Sequence, residues 1–348
     1  MKITGIELRR YDIPLVRPLV VGGRESTSRK GIIVSLTDDA GHTVHGEAAP
    51  LPGLHAESLE EVVSELKAFR RRAGQCGAAE IMAASQTMSW SSKTALEMAM
   101  FDLRSGDVEM DAMRRDVRIP VSGLVMAADE GMYDEVEAML EAGYVSVKVK
   151  VGRRSVGEDI RAVERLRTMI AGRAGIRLDA NRAWSLNDAA AFCKAVGAEG
   201  IEYIEEPLAD VEEYEAFYER TDMPVAFDET LAELGIDGVE EWEGAAVYVL
   251  KPSLLGGLTW TGEFIARALE ADVRPVMSCA FESDLSLRAF ARFAVLFRMF
   301  DTPLGLDTLK WFETPLLREG FEVSGGHVDA GELMGGPAVL RTELLEEV

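Results

Sequence analysis

Short apolar runs alternate with helical segments from residue 119 onward, and this repeat constrains the fold more than any other feature. Eight runs have the length and composition of buried strands: VSGLVM, YVSVKVKV, GIRLDAN, IEYIEEP, VAFDET, AAVYVLKP, RPVMSC and LGLDT. From Lys150 to Gly305, the ends of successive runs lie 29, 26, 23, 23, 27 and 27 residues apart. This spacing suits one strand, one helix and two short loops per unit. We therefore predict a TIM-like (β/α)7β barrel over residues 119–308.

A doubly wound open sheet is the alternative architecture for such a repeat. Sheets of that kind commonly carry a glycine-rich phosphate loop after a strand, and none follows any of the eight runs. The barrel is therefore the preferred prediction.

The first part of the chain has a different texture. Residues 1–50 contain short alternating strands, separated by the polar segment VVGGRESTSRKG and by the turn DDAG. Amphipathic helices are then predicted at about 57–72, 78–87 and 91–105. Together these indicate an α+β capping domain over residues 1–118, to which the tail, residues 309–348, is expected to return. We expect the polar segment to be a mobile loop.

Composition excludes several classes of partner. The formal net charge is −23, from 60 acidic and 37 basic side chains, which disfavours binding to nucleic acid or to an anionic membrane. The three cysteines are far apart and form no CxxC motif, so we expect neither disulfides nor a zinc site. The amino terminus does not have the pattern of a signal peptide, and charges interrupt every apolar stretch. These features predict a cytoplasmic protein.

Two lysines on one face of a predicted strand raise the question of function. Lys148 and Lys150 are two residues apart in YVSVKVKVG, so their side chains point the same way. An exposed edge strand would explain this pattern without any function, since lysines are common there. In a barrel, by contrast, strand ends converge on the carboxyl-terminal mouth, where active sites lie.

Three acidic residues end three successive strands. In the barrel Asp179, Glu205 and Asp228 would lie side by side, and without a counter-ion they would repel one another. Strand alternation favours Glu205 over Glu206, and position favours Asp228 over Glu229. Ligation by carboxylate oxygens suits Mg²⁺, with Mn²⁺ as a substitute. We predict a divalent metal site at the mouth.

A third lysine would lie across the barrel from the first two. Lys251 ends the sixth strand, four strands from Lys150, so the two would flank a small carboxylate substrate held between them. Such a site can remove a proton from the carbon next to a carboxylate, with a lysine as the base and the metal stabilising the enediolate. None of the four histidines lies in a barrel strand.

Each of these residues also has an explanation without catalysis. A single strand-end Asp more often caps a helix, and Lys251 before Pro252 is also compatible with a plain loop lysine. Ser278 and Ser283 are also typical of helix starts. Chance does not readily produce the ordered series of lysine, Asp, Glu, Asp and lysine at the ends of five successive strands.

The pattern resembles the muconate-lactonising subgroup of the enolase superfamily. The resemblance covers essentially the whole chain and is carried by the K-x-K of Lys148 and Lys150, Asp179-x-Asn181, Glu205-Glu206-Pro207, Asp228-Glu229, Lys251-Pro252 and ALEMAMFDL. Within the subgroup, RLDANRAW, KPSLLGG, GLDTL and GEAAPLPGLHAESLEE are most similar to the o-succinylbenzoate synthase family.

The resemblance implies a dehydration in menaquinone biosynthesis. In that family, 2-succinyl-6-hydroxy-2,4-cyclohexadiene-1-carboxylate loses water and becomes 2-succinylbenzoate. By position, Lys150 would be the base and then the acid, and Lys251 would stabilise the intermediate by its charge. The residues expected to contact the substrate, or to close a loop over it, are Arg177, Asn181, Ser278, Ser283 and Arg29.

Two residues depart from the family pattern, and two other functions remain open. Asp284 stands where the family tends to have serine, and Ser286 where it tends to have glycine. A negative charge beside the succinyl carboxylate would be unfavourable, so Asp284 is expected to point away. The alternative enzyme is an N-succinylamino acid racemase or dipeptide epimerase, which needs both lysines as acid and base. The alternative without catalysis is a barrel that only binds an acidic ligand or a partner.

Overall fold

The amino-terminal sheet is built around one long β-hairpin. The computed structural model describes residues 2–73, 76–105, 117–127, 129–239 and 244–348. The strands of this sheet are β1 (Lys2–Val21), β2 (Arg24–Asp38), β3 (Thr43–Ala48), β4 (Cys76–Gly77) and, from the end of the chain, β14 (Leu345–Glu347). They lie in the order β14-β1-β2-β3, with β4 also paired to β1.

The polar segment predicted to be a loop is instead the tip of this hairpin. Strands β1 and β2 pair from Ile3 opposite Asp38 to Val21 opposite Arg24. The pairing is irregular at two places, between Ile3 and Gly5 and between Pro14 and Leu19. Two glycines with positive φ form the turn at the tip, a conformation that side chains other than glycine rarely adopt. Beyond the irregularity at Pro14 and Leu19, the two strands continue as a two-stranded arm that ends at this turn.

Three helices cover one face of this sheet: α1 (Leu59–Ala73), α2 (Ala78–Ser85) and α3 (Trp90–Ser105). They bury a core in which Ile32, Val34 and Leu36 of β2 pack with Leu66 of α1 and Leu96 of α3. The predicted α+β arrangement, a small antiparallel sheet followed by helices, is confirmed.

The second half of the chain forms the predicted parallel sheet. Its seven strands are β6 (Gly123–Leu124), β7 (Ser146–Lys150), β8 (Gly175–Asp179), β9 (Ile201–Glu205), β10 (Val225–Phe227), β11 (Ala245–Leu250) and β12 (Arg274–Met277), hydrogen-bonded in chain order. An eighth segment joins the two edges: Leu304 bridges Val121 and Gly305 bridges Ser278, both in parallel. The ring is thereby closed, as the eight apolar runs predict.

Helices surround this ring, and strand alternation separates its two faces. The surrounding helices are α4 (Gly131–Ala142), α5 (Val156–Ile170), α6 (Leu186–Val196), α7 (Tyr214–Tyr218), α8 (Glu229–Val239), α9 (Leu258–Glu270) and α10 (Asp284–Leu296). Outward residues such as Val149 and Leu178 belong to the large core beneath these helices. A separate inner cluster contains Tyr203, Val249 and Val276, whose side chains face the lumen. The next inward residues along the strands are the polar ones at the mouth.

The tail crosses back over both halves of the molecule. Strand β13 (His327–Asp329) pairs with β5 (Arg118–Pro120) and is followed by α11 (Ala330–Met334). The final strand, β14, pairs with β1 opposite Arg9–Tyr11, so the end of the chain completes the amino-terminal sheet. Within the described ranges, no helix combines the length and apolar character needed to cross a membrane.

Strand β3 lies directly on helix α3, and Gly46 permits this contact. A Cβ atom at Gly46 would lie 1.8 Å from the carbonyl oxygen of Ala95. We predict that Gly46→Ala lowers the free energy of unfolding by ~2 kcal/mol, because backbone on both sides must move. Thermal or denaturant unfolding measures this change.

Gly157→Ala is the matched control. Its added Cβ would find no atom nearer than 3.6 Å. It should change the stability by no more than about 1 kcal/mol. Equal effects of the two substitutions would contradict the packing argument.

Candidate active site

The barrel mouth opens into a cavity of about 570 Å³ that lies between the two halves of the molecule. The barrel supplies its polar floor, including Lys148, Lys150, Asp179, Glu205 and Lys251. The amino-terminal half supplies an apolar roof from the hairpin tip and the segment after β3: Leu19, Val20, Val21, Gly22, Leu51, Gly53 and Leu54. These five residues of the predicted constellation therefore border one cavity.

The strand register brings the carboxylates together. Lys150 pairs with Asp179 across β7 and β8, and Asp179 pairs with Glu205 across β8 and β9. Both carboxylates are at most 3% exposed. Asp228, 5% exposed, follows β10 and lies behind Lys251, where it borders a second cavity of about 460 Å³. Glu229 borders both cavities.

The Glu206 side chain points away from the cavity and has different partners from its neighbour Glu205. Its backbone has φ 43°, which turns the side chain away from the lumen. Its oxygens accept hydrogen bonds from the Asp228 and Thr230 backbone nitrogens and pair with Arg182. It therefore anchors the start of helix α8 and leaves Glu205 as the acid that faces the cavity.

Burial and the charges of neighbouring groups shift the pKa values of the three acids. Burial, with the charges of Asp179 and Asp228, raises the pKa of Glu205 to about 7, although Lys148 opposes the shift. Burial and the charge of Glu229 raise the pKa of Asp228 to about 6. For Asp179 burial also favours the neutral acid, but Lys148 and the other two lysines outweigh it and lower the pKa. Burial is thus the main cause of the raised pKa values of Glu205 and Asp228, and the lysines cause the lowered pKa of Asp179.

The three lysines differ in their surroundings. The Lys148 Nζ lies 2.7 and 2.6 Å from the two oxygens of Glu205 and 3.0 Å from Asp179 Oδ2. Burial opposes its charge, but these carboxylates outweigh burial and hold the pKa of Lys148 well above its usual value. Lys251 donates to Asp228, which likewise keeps its pKa raised against the effect of burial. Both are held as cations.

Lys150 is the lysine most open to the cavity. Its side chain is 24% exposed, against 16% for Lys148 and 13% for Lys251. It donates to the Asn181 side-chain oxygen and lies 3.5 Å from Asp179 Oδ2. Of the three, it is therefore the best placed to exchange a proton with a molecule in the cavity.

The carboxylates offer a suitable donor set for Mg²⁺, although their present contacts are with lysines. Across the described ranges, no three side chains of His, Cys, Asp or Glu converge on a point where a metal ion would be held. The ammonium groups of Lys148 and Lys251 lie against Glu205 and Asp228. The three carboxylates are at most 5% exposed, and all-oxygen donors suit a hard divalent cation. The residues therefore fit a metal once the ammonium groups turn aside.

Three of the predicted substrate contacts border the cavity: Arg177, Asn181 and Ser278. Arg177 is buried, with its Nε 2.8 Å from Glu202 Oε2 and its Nη1 2.8 Å from the Pro303 carbonyl. In the described part of the chain, its Nη2 has no hydrogen-bond partner. Ser278 donates to the Gly305 carbonyl at 3.2 Å.

The other two predicted contacts lie away from the cavity. Ser283 is fully buried, and its hydroxyl donates to Glu47 Oε2 at 2.8 Å. Arg29 is 1% exposed, and its nitrogens bind the carbonyls of Phe281 and Ala49, each at 2.7 Å. Their positions give both residues a structural role and do not support direct contact with a substrate.

The reasoning from sequence missed several lining residues. Phe281 has a left-handed backbone (φ 59°) and borders the cavity, as does Tyr203 from the lumen. The spacing of strand ends could have suggested Tyr203, which is two residues before Glu205 on the same face. No local signal marks Phe281, because tertiary packing brings it to the mouth. The hairpin tip belongs to the segment that the family resemblance implied would close over the site.

Comparisons with known proteins agree with this architecture. The family described as "Enolase C-terminal domain-like" matches residues 131–339, and "MenC, N-terminal domain" matches residues 3–100. The o-succinylbenzoate synthase of Enterobacter sp. (strain 638) is 31% identical over 320 residues, covering 90% of this chain and 94% of that protein.

Solved structures show the same fold at lower identity. The L-Ala-D/L-Glu epimerase from Bacillus subtilis superposes with a TM-score of 0.84 at 24% identity, covering 98% of each chain. A muconate lactonizing enzyme from Pseudomonas fluorescens gives 0.85 at 21% identity, covering 98% of this chain and 97% of the other. From the matched barrel domain and the similarity along nine-tenths of its length, the chain belongs to the enolase superfamily and, within it, to the family of lyases that contains the curated o-succinylbenzoate synthases.

Proposed function

We propose that this chain is a divalent-metal-dependent o-succinylbenzoate synthase of menaquinone biosynthesis. It dehydrates 2-succinyl-6-hydroxy-2,4-cyclohexadiene-1-carboxylate to 2-succinylbenzoate. One observation carries the proposal: an accessible Lys150 and a charge-paired Lys251 border the same cavity, together with buried Asp179 and Glu205. The relatives named o-succinylbenzoate synthase support the choice of reaction.

Lys150 carries the proton in this mechanism. Its neutral amine takes the proton from the ring carbon next to the carboxylate, and the C–H electron pair becomes negative charge on the carboxylate oxygens. As these electrons return to form the new ring double bond, the C–O bond to the hydroxyl group breaks. The departing hydroxide receives the proton from the Lys150 ammonium and leaves as water, which regenerates the amine.

The other two lysines act by charge. Lys148 is engaged with Glu205 and Asp179, so it holds these carboxylates in place, and it is less exposed to the cavity than Lys150. Lys251 is a cation on the other side of the cavity, where it stabilises the negative intermediate and contacts the face of its ring. Mg²⁺ or Mn²⁺ bound by Asp179, Glu205 and Asp228 would supply further positive charge to the substrate carboxylate.

The cavity walls suit a substrate with an apolar ring and two acidic ends. The roof residues Leu19, Val21 and Leu54 offer apolar surface, and the cavity of about 570 Å³ lies in the range of small-ligand sites. The Nη2 of Arg177, which has no hydrogen-bond partner among the described residues, and the hydroxyl of Ser278 are the polar groups that we assign to the succinyl part. The net charge of −23 supports a small-molecule partner and disfavours nucleic acid and anionic membrane. The three scattered cysteines support a cytoplasmic location.

Racemisation or epimerisation of an N-acylated amino acid is the second candidate. It is favoured by the placement of lysines on two sides of one cavity, which two-base chemistry requires. It differs from dehydration in what Lys251 must do. A racemase needs Lys251 to gain and lose a proton, whereas dehydration needs only its charge.

The first prediction concerns the metal. Asp179→Asn, Glu205→Gln and Asp228→Asn should each abolish turnover, and EDTA should inactivate the native protein, because the metal loses its ligands. Mg²⁺ at about 100 times its Kd should stabilise the native fold by about 2.7 kcal/mol, and the variants by less. Steady-state assays and thermal unfolding measure both effects.

Glu164→Gln, which neutralises an exposed carboxylate on α5, is the control and should behave as the native chain. Full activity in EDTA would exclude the metal mechanism. An unchanged unfolding temperature with Mg²⁺, together with no turnover of any carboxylate, would favour a barrel that only binds ligands.

The second prediction separates the lysines. Lys150→Ala should lower kcat by at least ~10³-fold, because it deletes the group that moves the proton. Lys148→Ala should cost less, because Lys148 transfers no proton. Single-turnover and steady-state assays of dehydration test both variants, and near-normal turnover by Lys150→Ala would refute the mechanism.

The third prediction distinguishes dehydration from racemisation. Lys251→Arg keeps a positive charge, but arginine does not release its proton in proteins. We expect the variant to retain measurable dehydratase activity, while any racemase activity disappears. Assays with the cyclohexadiene and with N-succinylamino acids decide between the two. Racemisation that survives Lys251→Arg would contradict the two-base assignment.

A further inference from the structure

The buried carboxylate of Glu47 joins the amino-terminal sheet to the barrel. Glu47 is the second-last residue of strand β3, and its side chain is buried, with the residue 2% exposed. Its oxygens accept the backbone N–H groups of Ser283 at 3.0 Å and Ser286 at 3.3 Å. They also accept the hydroxyl groups of Ser283 at 2.8 Å, Ser286 at 2.6 Å and Tyr11. Five donors therefore hold one carboxylate in place.

The donors from the barrel lie at the start of helix α10. Ser283 is the residue that precedes this 13-residue helix, and its hydroxyl also accepts from the Leu285 N–H at 3.3 Å. First-turn amides have no partner within a helix, and the positive end of the helix dipole favours an anion. Glu47 thus supplies from another domain the negative charge that this helix end requires.

The same helix start carries one wall of the active-site cavity. The residues immediately before it, Ser278 to Phe281, all border the cavity. Phe281 is held in its left-handed conformation between this helix start and Arg29, whose Nε donates to the Phe281 carbonyl at 2.7 Å. A shift at Ser283 therefore moves the wall, because only Glu282 separates Ser283 from Phe281.

This wall is also tied to the loop that follows the second catalytic lysine. The Glu282 carboxylate accepts a hydrogen bond from Ser253, two residues after Lys251. It also accepts from the backbone N–H of Ala280 within the wall. The wall thus has supports on both sides, and Glu47 is the one that comes from β3.

We propose that Glu47 is a positioning residue, which fixes the wall from Ser278 to Phe281 and thereby sets the affinity for the non-reacting end of the substrate. It touches neither the cavity nor the reacting atoms. The assignment rests on the proposed dehydratase function for its kinetic consequence, but the position of the wall is independent of that function.

Glu47→Gln tests the proposal kinetically. Glutamine has one acceptor oxygen in place of two, so part of the donor set loses its partner. We expect KM to rise about tenfold and kcat to change by less than about threefold, since Lys150 and the carboxylates stay in place. Steady-state dehydratase assays, run well below the unfolding temperature, measure KM and kcat separately.

Glu65→Gln is the matched control. Glu65 also accepts the backbone N–H and hydroxyl of a serine, Ser89, but within the amino-terminal half and away from this wall. It should lower the unfolding temperature and leave KM unchanged. If Glu65→Gln raises KM as much as Glu47→Gln, the effect is general destabilisation and the proposal is refuted.

A milder variant and a second measurement keep the test decisive. Ser286→Ala removes one hydroxyl donor to Glu47 and should raise KM about threefold even if Glu47→Gln folds poorly. Hydrogen–deuterium exchange without substrate should show faster amide exchange over residues 278–286 in both variants. Native-like protection there would overturn the proposal whatever the kinetics. A native chain that fails to dehydrate the cyclohexadiene would instead refute the proposed function, and exchange would still decide the role of Glu47.

Discussion

The organisation of the site depends on the balance of buried charge at the barrel mouth. Lys148 lies between Glu205 and Asp179, and Lys251 lies against Asp228, so each buried acid has a cation nearby. Isolated buried charges are costly, and paired ones are tolerated only with close geometry. The pairing leaves Lys150 as the lysine most exposed to the cavity. A divalent cation would enter this balance by replacing ammonium groups at the carboxylates.

The amino-terminal half contributes more to this site than a cover. Its hairpin tip roofs the cavity, and buried polar side chains from its sheet and helices reach barrel loops. Glu47 accepts the backbone N–H of Ser283 at the start of α10. Glu97 of α3 accepts the Thr259 N–H in the first turn of α9 at 2.8 Å. Helices α9 and α10 follow strands β11 and β12, which end one residue before Lys251 and Ser278 respectively. Docking of the two halves therefore supports the loops that follow Lys251 and Ser278.

The two departures from the family pattern are explained by the same docking. Asp284 points away from the cavity, and its oxygens accept the backbone N–H groups of Leu316 and Leu317 at 2.7 and 3.0 Å. Its charge therefore stabilises the returning tail and does not face a substrate. Ser286 adds a hydroxyl donor to Glu47 at 2.6 Å. Both residues reinforce contacts between the barrel and the segments packed on it.

The sequence alone determined the barrel and the polar floor of its site. Unit spacing and strand alternation are local properties, and they placed Lys150, Asp179, Glu205 and Lys251 on one face before any contact was known. Only the tertiary structure decided the roles of Arg29 and Ser283, and the position of the hairpin tip. Their surroundings come from residues far away in the chain: Arg29 meets Phe281, 252 residues away, and Ser283 meets Glu47, 236 residues away. A local pattern shows which way a side chain leaves its strand, but its partner across a domain contact is set by how whole layers pack.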